Sequence, residues 1–107
     1  MPYFAVYAPD YTDEGAIERR FKVREAHLAN AVKEPRMKVG GAMLSPNEAL
    51  DTPNAVEKKM VGSLMIFEAE SYAEVKALIE NDVYWTGGVW DKERTEIRPW
   101  VTPKPLQ

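Results

Sequence analysis

Two short strands that are apolar on both faces limit this chain more than any other feature. Tyr3 to Ala8 reads Tyr-Phe-Ala-Val-Tyr-Ala and stops at Pro9-Asp10, a strand followed by a turn signal. Side chains alternate across a strand, so Phe4, Val6 and Ala8 share one face while Tyr3, Ala5 and Tyr7 share the other. Val61 to Ala69 repeats the pattern, with Leu64 and Ile66 on one face and Met65 and Phe67 on the other. A sheet wetted on one side carries polar residues at alternate positions, and these strands do not. Both faces therefore need cover. A chain of 107 residues has room for one domain, spanning 1–107. Its own helices can cover one face, and a second copy is expected to cover the other.

The elements between and around these strands follow a simple order. Asp13 is placed to cap a helix that runs without Pro to about Lys33, with Ile17, Phe21, Leu28 and Val32 on one stripe at helical spacing. Glu34-Pro35 ends it, and Met37 to Leu44 suggests a second strand. There Gly40-Gly41 marks a bend or the close approach of a ligand. Residues 45–59 hold Pro46, Pro53 and two Asn, and read either as a lid or as an exposed hairpin loop. Ser71-Tyr72-Ala73-Glu74 is a capping box opening a helix that carries Val75, Leu78 and Ile79 and ends near Asn81. After Gly87-Gly88, Thr95 to Val101 makes a last strand, and Pro103 and Pro105 mark an extended tail over 102–107. The predicted order is β-α-β-β-α-β, an α+β chain of ferredoxin-like type, closed as a homodimer into a dimeric α/β barrel.

Composition removes several classes of function. The net charge is −3 and no basic stripe stands out, so no nucleic acid partner is expected. There is no Cys and a single His, which argues against a metal site. No apolar run reaches the roughly 20 residues of a membrane helix, so no membrane partner is expected. The first strand begins directly after Met1-Pro2, with no secretory signal in view, and a cytoplasmic setting is the expectation.

Three cations fall on one row of the first helix. At about 100° per residue, Arg24 lies within roughly 20° of Ile17, while Arg20 and His27 lie about 60–80° to one side. A cationic row on the border of a buried stripe implies an acidic partner or an anionic ligand; surface snorkelling is the other reading. Asp82 falls seven residues after Val75 and prolongs the buried face of the second helix, where a carboxylate needs a partner. With the two helices side by side, His27 or Arg24 is that partner. A His–Asp pair would hold the imidazole in one tautomer for general acid–base work; an interhelix salt bridge is the alternative. Tyr84, Trp85, Trp90 and Trp100 suit a pocket, a core or a dimer interface. Ser63 has no base beside it in sequence and so does not by itself suggest a hydrolase.

Several segments together resemble the YCII-related domain family. Arg19 to Leu28, reading Arg-Arg-Phe-Lys-Val-Arg-Glu-Ala-His-Leu, is similar to its signature helix, following a strand like Tyr3 to Ala8. Gly41-Ala42-Met43 is similar to its Gly-Pro-Met segment, and Gly62 to Phe67 to its Gly-Ser strand. Asn81-Asp82-Val83-Tyr84 and Gly88-Val89-Trp90 are similar to its Asp-Pro-Tyr helix end and the Gly-Val-Tyr after it. Glu25 and Val83 stand where the family carries Pro, and the loop after Met43 is longer. The resemblance implies a dimeric α+β barrel with His27 and Asp82 at its active site and no cofactor. It also implies a chemistry of proton abstraction beside a carbonyl, as in the dehydrochlorination and lactone isomerisation associated with the family and its superfamily. The expected function is a cofactor-free lyase or isomerase for a small cyclic or aromatic carbonyl compound. A non-catalytic domain binding a small-molecule ligand is the alternative. His27 and Asp82 are the catalytic candidates, Arg24, Arg20, Tyr7, Ser63 and Tyr84 the substrate-binding ones, with no metal.

Overall fold

A computed structural model describes residues 1–106 of the protein. Four strands form one antiparallel sheet: β1 Tyr3–Pro9, β2 Met37–Leu44, β3 Met60–Glu68 and β4 Glu96–Trp100, in the order β2-β3-β1-β4. Among the described residues three α-helices accompany the sheet, α1 Ala16–Lys33, α2 Tyr72–Glu80 and the single turn α3 Val83–Thr86, with a 3-10 turn at Val56–Lys59. This is the α+β, ferredoxin-like order, with one helical turn added after α2. Gln107, the end of the expected tail, lies outside the described residues.

Register sorts the apolar residues as the alternation requires. Val6 opposes Met65 and Ile97, and Phe4 opposes Phe67, which brings one face of three strands under the helices. Phe4, Val6, Met65 and Phe67 join Val75 and Ile79 of α2 in the buried core. Tyr7 opposes Leu64 and Glu96 on the other face, where Tyr7 is 43% exposed and Leu64 45%. On that second apolar face Tyr7 and Leu64 stay exposed while Ile66 is buried.

The first helix departs from its expected phase. Ala16 and Arg20 are its buried residues, Val23 packs against the core, and His27 is half-buried. Phe21, Leu28 and Val32, expected inside, are exposed, Val32 by 87%. Arg20 and His27 of the cationic row face inward because Asp10 and Asp82 supply partners for them there. Nor is Asp13 the cap. The N-cap position of α1 is Gly15, two residues after it, and the Asp13 carboxylate instead accepts from the Gly15 amide at 3.2 Å and holds Arg19 by two bonds of 2.8 Å.

The end of α2 differs too. Asp82 does not extend that helix; it caps α3, its carboxylate accepting from the Tyr84 amide at 2.9 Å. Helix α1 packs chiefly against α3, not side by side with α2 as expected. Gly87 and Gly88 make the junction possible. A side chain at Gly87 would strike the Val83 carbonyl oxygen at 2.6 Å, and Gly88 has a φ of +72°, open mainly to glycine. The chain then runs back along the end of β1, where Asp10 bridges Trp90 and the Asp91 amide donates to the Pro9 carbonyl at 2.8 Å. No helix of the described residues is long and apolar enough to cross a membrane.

Candidate active site

The inward row of α1 meets the ends of β1 and β3 and the first turn of α3. Arg20 is 2% exposed, a cost that an isolated guanidinium could not sustain. One of its nitrogens donates to both oxygens of Asp10, at 2.7 and 2.9 Å, and the other terminal nitrogen donates to Ser63 Oγ at 3.0 Å. Burial pushes the Asp10 carboxyl above the usual carboxylate value, against the pull of Arg20. Trp90 Nε1 also donates to Ser63 Oγ, at 3.1 Å. A serine oxygen has two acceptor positions and one proton. Both positions are taken here, and no acceptor for the hydroxyl proton lies within reach among the described residues. The Ser63 hydroxyl is therefore a donor in waiting.

His27 stands about two turns further along α1. Its Nδ1 lies 2.8 Å from Asp82 Oδ1, the same oxygen that caps α3. A carboxylate only accepts, so the proton belongs on Nδ1, which leaves Nε2 as the basic nitrogen. Nε2 makes no hydrogen bond to a protein group among the described residues. The imidazole lies flat on the Tyr84 ring, centroids 3.8 Å apart and planes 12° from parallel, and meets Trp90 edge-on at 5.9 Å. The Arg20 guanidinium lies 4.6 Å from the centre of the same Tyr84 ring. The ring orientation is thus held by stacking on the Tyr84 ring and by the hydrogen bond to the Asp82 carboxylate. Burial raises the Tyr84 phenol above its usual value, so it stays protonated well past neutrality.

These groups open into a cleft of about 420 Å³ between α1 and β2. Arg20, Arg24, His27, Ser63 and Tyr84 all line it, five of the seven residues proposed from sequence. Asp82 stands behind His27. Tyr7 does not belong: it points to the opposite face of the sheet, because its parity differs from that of Val6 and Ala8. Gly40 and Gly41 form part of the opposite wall. Residues 45–59 contribute nothing to the lining; Lys59 ties that segment to itself through the Ala49 and Thr52 carbonyls at 2.8 and 3.2 Å. Sequence reasoning missed Asp10, read only as a turn residue, although a carboxylate directly after a buried strand is a signal that it needs a cation. It missed Lys38 on the β2 wall as well. Among the described residues no three His, Cys, Asp or Glu side chains converge on one point.

The model of the YCII-related domain matches residues 3–101, almost the whole chain. The chain belongs to the YCII-related domain family. Among curated proteins this YCII-related domain is 31% identical to fusaric acid biosynthesis protein 2 of Gibberella moniliformis over 99 residues, which cover 90% of this chain and 89% of that one. The protein of the same name from Gibberella fujikuroi is 30% identical with the same coverage. Among solved structures it is similar to the 5-chloro-2-hydroxyhydroquinone dehydrochlorinase of Burkholderia phenoliruptrix, solved with 2,5-dihydroxybenzoquinone. The TM-score is 0.76 and the identity 31%, over 92% of this chain and 93% of that one. A dimeric ferredoxin-like protein of unknown function from a Jannaschia species matches with a TM-score of 0.52 and 14% identity, over 95% of this chain and all of the other. That last likeness concerns the fold alone.

Proposed function

We propose that this YCII-related domain is a cofactor-free lyase or isomerase that removes a proton beside the carbonyl of a small cyclic or aromatic compound. The observation that carries the reading is the His27–Asp82 pair: Nδ1 is engaged, Nε2 is free, and the ring forms part of a cleft that also holds an uncommitted hydroxyl donor. His27 Nε2 takes the proton as the C–H bond breaks, and its electron pair moves onto the carbonyl oxygen. Ser63 donates to that oxygen, with Arg20 behind it and Arg24 adding positive charge as the enolate forms. In the lyase branch the enolate re-forms its carbonyl and expels a leaving group with its electron pair. In the isomerase branch His27 returns the proton to another carbon. The likeness to a dehydrochlorinase supports the first branch. The working unit is a homodimer through the bare sheet face.

The test is solvent-deuterium exchange at the activated carbon, followed by NMR, over a panel of hydroxyquinones, hydroxyquinols and lactones. Wild type is expected to catalyse exchange on at least one, and His27→Gln to slow it by about 10²–10⁴-fold, the range for loss of a general base. Full exchange in His27→Gln would remove the mechanism. Binding without exchange by wild type would leave a ligand-binding domain.

A further inference from the structure

We propose that the ligand of this cleft carries a negative charge at neutral pH, a carboxylate on a small planar ring, and that Arg24 and Lys38 select it. This rests on the site reading above and names the class of substrate that the site takes.

The cationic residues lining the cleft are Arg20, Arg24 and Lys38, beside the His27 imidazole, and no carboxylate side chain lines it. Arg20 is balanced inside the protein by Asp10. The other two cations are not. Arg24 makes no ion pair among the described residues, and Lys38 has only a distant one, to Glu68 at 3.7 Å. Arg24 comes from the α1 wall and Lys38 from the β2 wall, so the surplus charge is shared by both sides of the slot. The chain as a whole is negative, at −3, and the positive cleft is a local departure from that field.

The rest of the lining explains why this charge is not merely solvated. Leu28, Ala31, Val32, Met60 and Met65 give the cleft apolar walls. A ligand seated between them takes Arg24 further out of water. A neutral ligand would leave that guanidinium desolvated and unpaired, whereas an anion pairs with it through a charge-assisted hydrogen bond. At the floor the Ser63 hydroxyl, both of its acceptor positions filled, offers its proton to a ligand oxygen. The site therefore asks for two things in one molecule: an acceptor oxygen for the floor and an anionic group for the walls. A ring acid with a carbonyl or hydroxyl substituent supplies both.

The test is calorimetric binding of matched pairs to the full-length protein: benzoate against benzamide, and salicylate against salicylamide. Each acid is expected to bind at least about tenfold tighter than its amide, and its affinity to fall as salt rises. Arg24→Gln should cost about tenfold for the acids and little for the amides, with Lys38→Gln acting in the same direction and Arg24→Lys restoring part of the loss. Lys76→Gln, an exposed charge on α2, is the control and should bind as wild type. Acids and amides of equal affinity, failure of both acids to bind, or full binding by Arg24→Gln and Lys38→Gln would each overturn the proposal. The outcomes separate it from the catalytic reading. Arg24-dependent acid binding without proton exchange keeps the anion site and removes the reaction; exchange on neutral carbonyls with no preference for acids does the reverse.

Discussion

Asp82 uses one oxygen for two tasks, capping α3 and holding His27. The tasks separate by substitution, since Asn caps a helix about as well as Asp but carries no charge to fix the imidazole. Asp82→Asn is expected to hold its stability within about 0.5 kcal/mol while losing most of the proton exchange, whereas Asp82→Ala also loses the cap, at a cost of about 1 kcal/mol. Chemical denaturation beside the exchange assay checks both. Asp10 and Arg20 make a second asymmetric pair. Asp10→Ala strands a buried guanidinium that cannot shed its charge, and should cost about 3–5 kcal/mol. Arg20→Ala leaves Asp10, whose carboxyl burial already pushes up, free to take a proton and become neutral. The second variant should therefore be the more stable, and should gain on wild type as the pH falls, because a raised folded-state value favours folding below it.

At the scale of elements, α1 is a helix whose inner face builds a site more than a core. Its entry is held electrostatically. The Arg19 guanidinium holds the Asp13 carboxyl at about 2, below its ordinary value of 3.8. A depressed folded-state value contributes stability above pH 3.8 and loses it as the pH falls through about 2. Asp13→Asn is expected to flatten that part of the acid limb in thermal melts and to lower stability at neutral pH by the same amount, a small one because the pair is exposed. Helix α2 starts on the Ser71 hydroxyl, which accepts from the Glu74 amide at 3.2 Å, while the Glu74 carboxylate turns away to Arg36 at 3.0 Å. The capping box is thus only half closed. Ser71→Ala should lower stability by about 1 kcal/mol in urea denaturation.

For the whole molecule the open question is the bare face of the sheet. Ala5, Tyr7 and Leu64 meet there with the buried Ile66 beside them, framed by Glu96 and Arg98 on β4, and Tyr7 and Leu64 are exposed. An apolar face with a charged border is the form of a self-pairing surface. Sedimentation is expected to give twice the 12.2 kDa of the chain at micromolar concentration, and Leu64→Asp to give the single chain with the His27–Asp82 pair intact. A wild-type monomer would sink the homodimer.

How much of this was legible beforehand follows from the range of each interaction. Strand alternation in Tyr3 to Ala8 and the Ser71 cap are local, and the sequence alone determined them, together with the β-α-β-β-α-β order and the two apolar faces of the sheet. The inner face of α1 was not local. Its apolar spacing favoured Ile17, Phe21, Leu28 and Val32, yet Arg20 is buried, because Asp10 and Ser63, ten and forty-three residues away in the chain, supply the partners that make burial tolerable. The His27–Asp82 pair was one of several pairings open to Asp82 on spacing, and only the packing of α1 on α3 decided it. Hydrophobic periodicity reports what a segment would bury if nothing else faced it, while a buried charge goes where the tertiary structure has already placed its partner.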